Sequence, residues 1–252
     1  HEKQNVAATH GDVDQLQQTL TSGALTENGQ ADRSYRLLAV SAGDDELPVR
    51  FTSSRGHEHE IAAYRLDREL GLGMVPPGVL RSVDGKSGAL TVWSETLVTE
   101  TERIDTDFER PNWCAAGNDY QLMYVFDALI RNRNRTTDTI RYTQPQKRLW
   151  LADHLASFGT EPRVSDYLRR TEVVVPPTLA DRLASLDERR LKALLGDLLS
   201  GRQIRAILKR RDEIFELWPT GAPGNRATIA AREPRNTGRW TPPTFANDSA
   251  AR

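Results

Sequence analysis

Two neighbouring segments carry residue types that could handle a phosphate group. The first, residues 125–140, reads as a helix end and a polar loop that contains Asn134 and Arg135. The second, residues 149–154, is an apolar run that ends in the carboxylate of Asp153 and reads as the second strand of a hairpin. A carboxylate delivered in this way can hold a metal ion that bridges phosphates. The pattern therefore predicts a phosphate-handling site built on a loop and a hairpin.

The first half of the chain must supply the opposite wall of such a site. A helix is predicted over residues 58–70, where apolar residues recur at helical spacing, and Gly71 is a suitable stop. Asp84 and Gly85 are typical of a hairpin turn between two strands. The predicted strands of this half are residues 35–40, 48–51, 79–83 and 88–93.

The second half is predicted to be mainly helical. A helix over residues 119–132 leads into the polar loop, and three apolar stripes follow residue 178. Asp187 is a plausible N-cap, and Pro219 ends the last helix. The chain is accordingly divided into a flexible arm or short surface helix (1–32), a first lobe (33–96), a linker or insertion (97–118), a second lobe (119–218) and a flexible tail (219–252).

Composition excludes several classes of function. The 252 residues are 38% hydrophobic and 27% charged, with a formal net charge of -1, so no general affinity for nucleic acid is expected. No apolar run approaches the ~20 residues that a membrane span needs. The single cysteine, Cys114, excludes an intrachain disulfide and a cysteine-based metal cluster. A start at His1 indicates a processed or truncated N-terminus, and the compartment stays open between cytoplasm and periplasm.

Several short motifs between residues 35 and 218 carry a family resemblance. They are EIAAYRLD at 60–67, GLGMVPP at 71–77, NRNR at 132–135, LADH at 151–154, ASF at 156–158 and AILKRRD at 206–212. Together they resemble a bacterial branch of the protein-kinase-like fold, similar to the HipA kinases and to phosphoinositide-kinase-like proteins. The resemblance implies a bilobal α+β fold, with a small β-rich lobe that bears one Glu-containing helix and a larger, mainly helical lobe.

In the small lobe, the resemblance implies three parts of a nucleotide site. Glu60 matches the helix Glu that pairs with a phosphate-binding lysine. No lysine lies near residues 49–52, where Arg50 is the nearest cation. An arginine keeps the positive charge, but its planar guanidinium does not replace the compact ammonium of lysine at the phosphates. Val92 to Glu95 would be the hinge between the lobes, where backbone groups could meet an adenine edge.

In the large lobe, the resemblance implies a depleted catalytic loop. Asn134 stands where the catalytic Asp is expected, and an amide cannot remove a proton. Arg135 is retained. Thr139 replaces the metal-binding Asn, and a hydroxyl is a poorer Mg²⁺ ligand. Asp138 could substitute for it, beside Asp153 as the metal-binding Asp.

These losses favour a pseudokinase that acts as a binding or scaffolding module for another protein, with ATP and Mg²⁺ bound weakly or not at all. The alternative is a divergent but active ATP-dependent phosphotransferase, a protein or small-molecule kinase, which would use Asp153 and Asp138 with Arg50 or Arg135. Taken alone, each of these residues also fits an ordinary surface or turn position. Both functional hypotheses predict that the site residues converge on one cleft, with Glu60 and Asp153 on opposite lobes.

Overall fold

The computed structural model describes residues 10–28, 35–43, 45–94, 96–106, 116–144 and 148–221. The predictions for Glu95, Cys114 and the tail from residue 222 onward lie outside these residues. The helices are α1 (His10–Ser22), α2 (Glu58–Leu70), α3 (Glu100–Asp105), α4 (Ala116–Ile130), α5 (Asp166–Arg169), α6 (Pro177–Ala184), α7 (Glu188–Leu195) and α8 (Gly201–Leu217). The strands are β1 (Leu25–Glu27), β2 (Arg36–Ala42), β3 (Asp45–Thr52), β4 (Gly78–Val83), β5 (Lys86–Val92), β6 (Val98–Thr99), β7 (Ile140–Tyr142) and β8 (Leu149–Leu151).

The small lobe is built on a five-stranded antiparallel sheet in the order β1-β2-β3-β5-β4. The predicted turn between β4 and β5 is present, with Val83 paired to Lys86. Asp84 and Gly85 both have positive φ angles, 49° and 75°. A two-residue hairpin turn of this type needs that conformation at both positions, which explains the choice of Asp-Gly.

The first described residues belong to the small lobe. Helix α1 packs on the sheet and buries Leu20 completely. Its end is held by Arg81 of β4, whose guanidinium donates to the carbonyl oxygens of Leu20 and Gly23 at 3.0 and 2.7 Å. Of the two alternatives for this segment, a helix is therefore present, and it contributes to the core of the lobe.

Helix α2 has the predicted bounds and joins the two lobes. It ends at Gly71, whose left-handed backbone (φ 61°) closes the last turn. The apolar face of α2, which includes Leu66 and Leu70, is buried in the core of the large lobe. Arg182 of α6 also donates to the carbonyl oxygen of Leu70 at 2.6 Å. The helix that carries Glu60 is thus fixed to the large lobe as well as to the sheet.

The large lobe packs α4 and α8 against each other and adds a three-stranded sheet in the order β6-β7-β8. Strand β6 and helix α3 lie within the segment interpreted as a linker or insertion. The predicted N-cap at Asp187 is present, since its Oδ1 accepts from the N–H of Arg190 at 2.7 Å. Ser200 and Gln203 form a capping box at the start of α8. The polar loop 131–139 connects α4 to β7, so this packing sets its position.

Among the described residues, no helix has both the length and the apolar character needed to cross a bilayer.

Candidate functional site between the lobes

Arg50, Glu60 and Asp153 meet where the two lobes join. Arg50 lies on β3 with its side chain only 3% exposed, and its Nη2 is 3.9 Å from Oε2 of Glu60 on α2. Its Nη1 donates to Oδ1 of Asp153 at 2.6 Å. Asp153 follows β8 and has a left-handed backbone with φ of 67°, a conformation that costs energy for a residue other than glycine. Three distant segments thus deliver their charged side chains to one cluster.

A second arginine, Arg141, reaches the same carboxylate. It lies on β7, and its Nη1 donates to Oδ2 of Asp153 at 2.9 Å. The guanidinium groups of Arg50 and Arg141 also lie over the indole ring of Trp93, with Cζ 5.1 and 5.2 Å from the ring centroid. These distances are those of cation–π contacts. Each oxygen of Asp153 therefore has an arginine partner, and the ring of Trp93 packs beside both guanidinium groups.

The arginines keep Asp153 ionised. Burial alone would raise the pKa of this carboxyl, but the charges and hydrogen bonds of Arg50 and Arg141 outweigh burial and hold the pKa well below its usual range. Burial would lower the pKa of Arg50, yet the charges of Asp153 and Glu60 raise it above its ordinary value. Two arginines and two carboxylates leave the cluster with no net formal charge.

Glu60 also holds the chain immediately after Asp153. Its Oε1 accepts from the backbone N–H of His154 at 2.7 Å, and its Oε2 is 3.3 Å from Nδ1 of the same residue. Burial would raise the pKa of Glu60, but the His154 hydrogen bond and the charges of His154 and Arg50 lower it. A glutamate on α2 therefore positions the aspartate that follows β8.

Arg135, predicted as a catalytic residue, lies buried beneath the loop. Its Nε and Nη2 donate to the two carboxylate oxygens of Asp127 at 2.9 Å. Its Nη1 donates to the carbonyl oxygens of Thr139 and Ala152 at 3.2 and 3.3 Å. Asp127 also accepts from the Asn132 amide at 3.0 Å. In this arrangement Arg135 connects α4, the loop and the residue before Asp153.

The loop residues with predicted catalytic or metal-binding roles have local partners. The side chain of Asn134 is exposed and makes no hydrogen bond within the described part of the chain. The Thr139 hydroxyl accepts from the N–H of Thr136 at 2.8 Å and is 3.0 Å from the carbonyl oxygen of Asn134. Oδ1 of Asp138 accepts from the hydroxyl of Thr101 on α3 at 2.6 Å. Thr139 closes the turn, and Asp138 joins the loop to α3.

The predicted hinge is partly outside the described residues. Val92 is at the end of β5, where its N–H donates to the carbonyl oxygen of Pro77 at 2.8 Å. The N–H of Trp93 donates to the carbonyl oxygen of Pro48 at 2.9 Å. Both donors are therefore used within the small lobe. Trp93 instead contributes its ring, which lies against the arginines.

The residues around Asp153 do not fit a Mg²⁺ ion in this arrangement. Mg²⁺ requires oxygen ligands at about 2.0–2.1 Å in near-octahedral geometry. Both oxygens of Asp153 accept from cationic groups, and Asp138 and Thr139 are engaged elsewhere. Within the described ranges, no group of three or more His, Cys, Asp or Glu side chains is placed to hold a metal ion. The predicted ligand set of Asp153, Asp138 and Thr139 thus has other partners at every position.

Sequence reasoning did not predict the contact of Arg141 with Asp153. In the β7–β8 hairpin Arg141 is paired with Trp150, and its strand neighbours Ile140 and Tyr142 are buried on the other face. Alternation along the strand could have separated the faces. Only the tertiary packing shows that the face with Arg141 is turned toward Asp153.

A separate groove of about 630 Å³ lies between α1, α2, β4 and α7. Tyr64, Arg68 and Asp197 are among the residues that line it. None of the predicted site residues is among its lining residues. We therefore place the candidate site at the charged cluster, where the chemistry-bearing side chains meet, and not at this groove.

Comparison with known proteins supports the fold. No protein-family model matches the chain, and no curated protein matches it. A Helicobacter pylori proinflammatory kinase, CtkA, has a solved structure that matches 79% of this chain and 94% of its own, with 13% identity and a TM-score of 0.53. The choline kinase LicA from Streptococcus pneumoniae matches 82% of this chain and 87% of its own, with 14% identity and a TM-score of 0.28. A choline/ethanolamine kinase family protein from Mesorhizobium loti matches 76% and 70%, with 13% identity and a TM-score of 0.28.

This chain has a kinase-like fold. The CtkA match covers both lobes of a mixed α+β structure, and the predicted fold class is confirmed. The TM-scores of the two choline kinase relatives are too low to add to that conclusion. At 13% identity the CtkA match carries the fold alone, so the function must be argued from the residues of the site.

Proposed function

We propose that this protein is a pseudokinase of the HipA-like or phosphoinositide-kinase-like branch, which acts as a binding or scaffolding module and does not transfer phosphate. The observation that supports this proposal most strongly is the state of Asp153. Its two carboxylate oxygens accept from Arg50 and Arg141 at 2.6 and 2.9 Å. The residue that should hold the bridging metal is therefore already neutralised by the protein's own cations.

Electrostatics argues against a divalent ion at this carboxylate. At an effective dielectric constant of ~20, a divalent cation and a guanidinium about 5 Å apart repel each other by roughly 7 kcal/mol. Two such groups contact Asp153, and their repulsion opposes a metal ion at this carboxylate as long as both stay in place. Moving Arg141 away would break a charge-assisted hydrogen bond and a contact with Trp93.

The proton-transfer side of the reaction is also weakened. By the family resemblance Asn134 stands where the catalytic base is expected, and its amide can accept a hydrogen bond but cannot take the proton. General base catalysis typically contributes about 10²–10⁴-fold to a rate. Metal and base are lost together, and positioned charge supplies most of the acceleration in phosphoryl transfer. A binding role, with another protein as partner, is the function that these residues support.

A turnover assay tests this proposal. The full chain is incubated with γ-labelled ATP and Mg²⁺ or Mn²⁺, and both phosphate release and transfer to protein are measured. We expect wild type, Asp153→Ala and Asn134→Gln to give the same background rate. ATP turnover in wild type that Asp153→Ala abolishes would overturn the proposal.

The alternative, a divergent but active phosphotransferase, has one observation in its favour. Arg50 contacts both Glu60 and Asp153, the residues that the resemblance assigns as partner carboxylate and metal-binding Asp. Under this alternative Arg141 would leave Asp153 when ATP and metal arrive. The turnover assay separates the two functions, because only the enzyme depends on Asp153.

A further inference from the structure

A pocket of about 390 Å³ lies between the end of α4 and residues 161–167. Arg131, Arg133 and Arg163 line it, and none of the three has a carboxylate within ion-pair distance in the described part of the chain. We call it the arginine pocket. The residues of the charged cluster at Asp153 are not among its lining residues, so it is a separate site.

A fourth arginine is buried behind this pocket. Arg210 of α8 is 0% exposed, and its Nη1 donates to the carbonyl oxygen of Glu161, a lining residue, at 2.6 Å. Its other acceptors are the carbonyl oxygens of Leu129 and Gly159, at 2.8 and 3.1 Å. Burial and the charge of Arg131 lower the pKa of Arg210 to about 9, so the side chain stays protonated at neutral pH. Buried charges are normally paired, yet carbonyl oxygens alone bind this one.

The charge of this region is not balanced. Two exposed carboxylates, Glu161 and Asp166, also line the pocket. Four arginines and two carboxylates give a net formal charge of +2. Guanidinium groups bind phosphate oxygens in pairs, and clusters of arginines recognise phosphorylated side chains. The two carboxylates would repel a phosphate but attract a cation beside it.

Arg131 keeps its side chain at an energetic cost. It follows the last residue of α4 and has a φ of 54°, in the left-handed region where glycine or asparagine usually ends a helix. Its Nε donates to the carbonyl oxygen of Arg163 at 3.2 Å, which connects the two sides of the pocket. Its charge also opposes that of Arg210. Stability does not explain an arginine that is both strained and close to a like charge, so its side chain points to a binding role.

We propose that the arginine pocket binds the phosphate group of a phosphoserine or phosphothreonine on another protein, with a lysine or arginine next to it. The three lining arginines bind the phosphate dianion, and the buried Arg210 adds to the positive potential. The two exposed carboxylates bind the flanking cation. The choice of a protein as the carrier rests on the proposed function, whereas the preference for phosphate rests on the pocket alone.

Isothermal titration calorimetry of the full chain with short peptides tests this inference. The probes are Gly-Lys-X-Lys-Gly, with phosphoserine or serine at X, then Gly-Asp-phosphoserine-Asp-Gly, and inorganic phosphate. We expect the lysine-flanked phosphopeptide to bind with a Kd of about 0.1–1 mM, and the serine peptide to bind at least about tenfold more weakly. The aspartate-flanked phosphopeptide and inorganic phosphate should each bind at least about threefold more weakly.

Three variants locate the binding. Arg131→Gly and Arg163→Gln are each expected to weaken binding of the lysine-flanked phosphopeptide at least about tenfold. Arg202→Gln removes an exposed arginine of α8 that does not line the pocket, and it should leave binding unchanged. Because glycine adopts a left-handed backbone without strain, Arg131→Gly should leave the unfolding midpoint unchanged or raise it by up to about 4 °C. A purely structural role of Arg131 would lower the midpoint.

Several results would overturn the inference. They are equal binding of the phosphorylated and serine peptides, unchanged binding in both Arg131→Gly and Arg163→Gln, and an equal loss in Arg202→Gln. Inorganic phosphate that binds as tightly as the lysine-flanked phosphopeptide would overturn the protein as carrier. ATP turnover that Asp153→Ala abolishes would overturn the proposed function and would leave a measured phosphate preference of the arginine pocket standing.

Discussion

Asp153 adopts a backbone conformation that costs energy, and its carboxylate contacts two cationic side chains. Its φ of 67° lies in the left-handed region that glycine usually occupies. Asp153 keeps this conformation because Glu60 binds the N–H of the next residue and both arginines bind the Asp153 carboxylate. Strained residues persist where the surroundings determine their geometry in this way. At the residue scale, the site is a network in which each charge depends on its neighbours.

Glu60 is the residue whose substitution should destabilise this network most clearly. Glu60→Gln leaves Arg50 without its second carboxylate and weakens the contact with His154, while the side chain stays buried. We expect the free energy of unfolding to fall by about 2–4 kcal/mol, measured by urea denaturation. Glu58→Gln, at a more exposed position on the same helix, should change it by less than about 0.5 kcal/mol. Equal effects of the two substitutions would contradict this description of the network.

Asp67 is expected to make stability depend on pH. Burial raises the pKa of this carboxyl to about 7, although the N–H groups of Met74, Val75 and Gly73 lower it in part. The unfolded value is about 3.9. Between these values the folded state keeps a proton that the unfolded state has released, so the free energy of unfolding falls as pH rises through this interval.

The measurement is urea denaturation of wild type and Asp67→Asn between pH 5 and 8. Wild type should lose about 2–3 kcal/mol more than Asp67→Asn over this range. The comparison uses the slope, because Asn also loses one acceptor for the loop after α2. Parallel pH profiles would show that the Asp67 pKa is not raised.

At the scale of elements, the sequence correctly predicted features that neighbouring residues determine. Helix α2 has its predicted bounds, and the Asp84-Gly85 turn joins the strands as expected. These elements depend on periodicity, capping and turn chemistry, which neighbouring residues carry. The arginine pair on Asp153 could not be predicted in this way, because Arg50 and Arg141 are brought together only by packing of the two lobes.

The end of α2 allows a matched test with glycine. Gly71 and Gly73 both have positive φ angles, 61° and 67°, so alanine at either position costs about 1 kcal/mol of backbone strain. A Cβ at Gly71 would also overlap the guanidinium of Arg182, whereas the space around Gly73 is open. Arg182 would then lose its hydrogen bond to Leu70.

We therefore expect Gly71→Ala to lower the free energy of unfolding by about 1 kcal/mol more than Gly73→Ala, measured by urea denaturation. In an Arg182→Ala background the difference between the two glycine substitutions should disappear. If the difference persists without Arg182, contact with α6 is not what restricts this position.

At the scale of the whole molecule, the two lobes share a helix. The apolar residues of α2 are buried in the large core, while the sheet and α1 form a separate smaller core. An ion pair between Arg65 and Asp197 at 2.7 Å adds to this attachment. We infer that α2 and the large lobe unfold as one unit and that the sheet can open independently.

Native-state hydrogen exchange tests this division with one substitution in each core. Leu183→Ala on α6 creates a cavity in the large core, and Leu38→Ala on β2 creates one in the small core; each costs about 2–5 kcal/mol. Leu183→Ala should lower the protection of α2 amides together with those of α4 and α8. Leu38→Ala should lower the protection of the sheet and leave α2 nearly unchanged. If α2 amides lose protection in Leu38→Ala but not in Leu183→Ala, the helix unfolds with the small lobe.

Asp153 is held by Arg50 and Arg141, and we propose that it does not bind a divalent cation. A crystal structure of the full chain with ATP and Mn²⁺, with an anomalous difference map to locate the metal, tests this directly. We expect Arg50 and Arg141 to stay on the carboxylate of Asp153 and no Mn²⁺ peak to lie on it. A Mn²⁺ ion bonded to Asp153, with Arg141 displaced, would show that this carboxylate is a metal ligand after all.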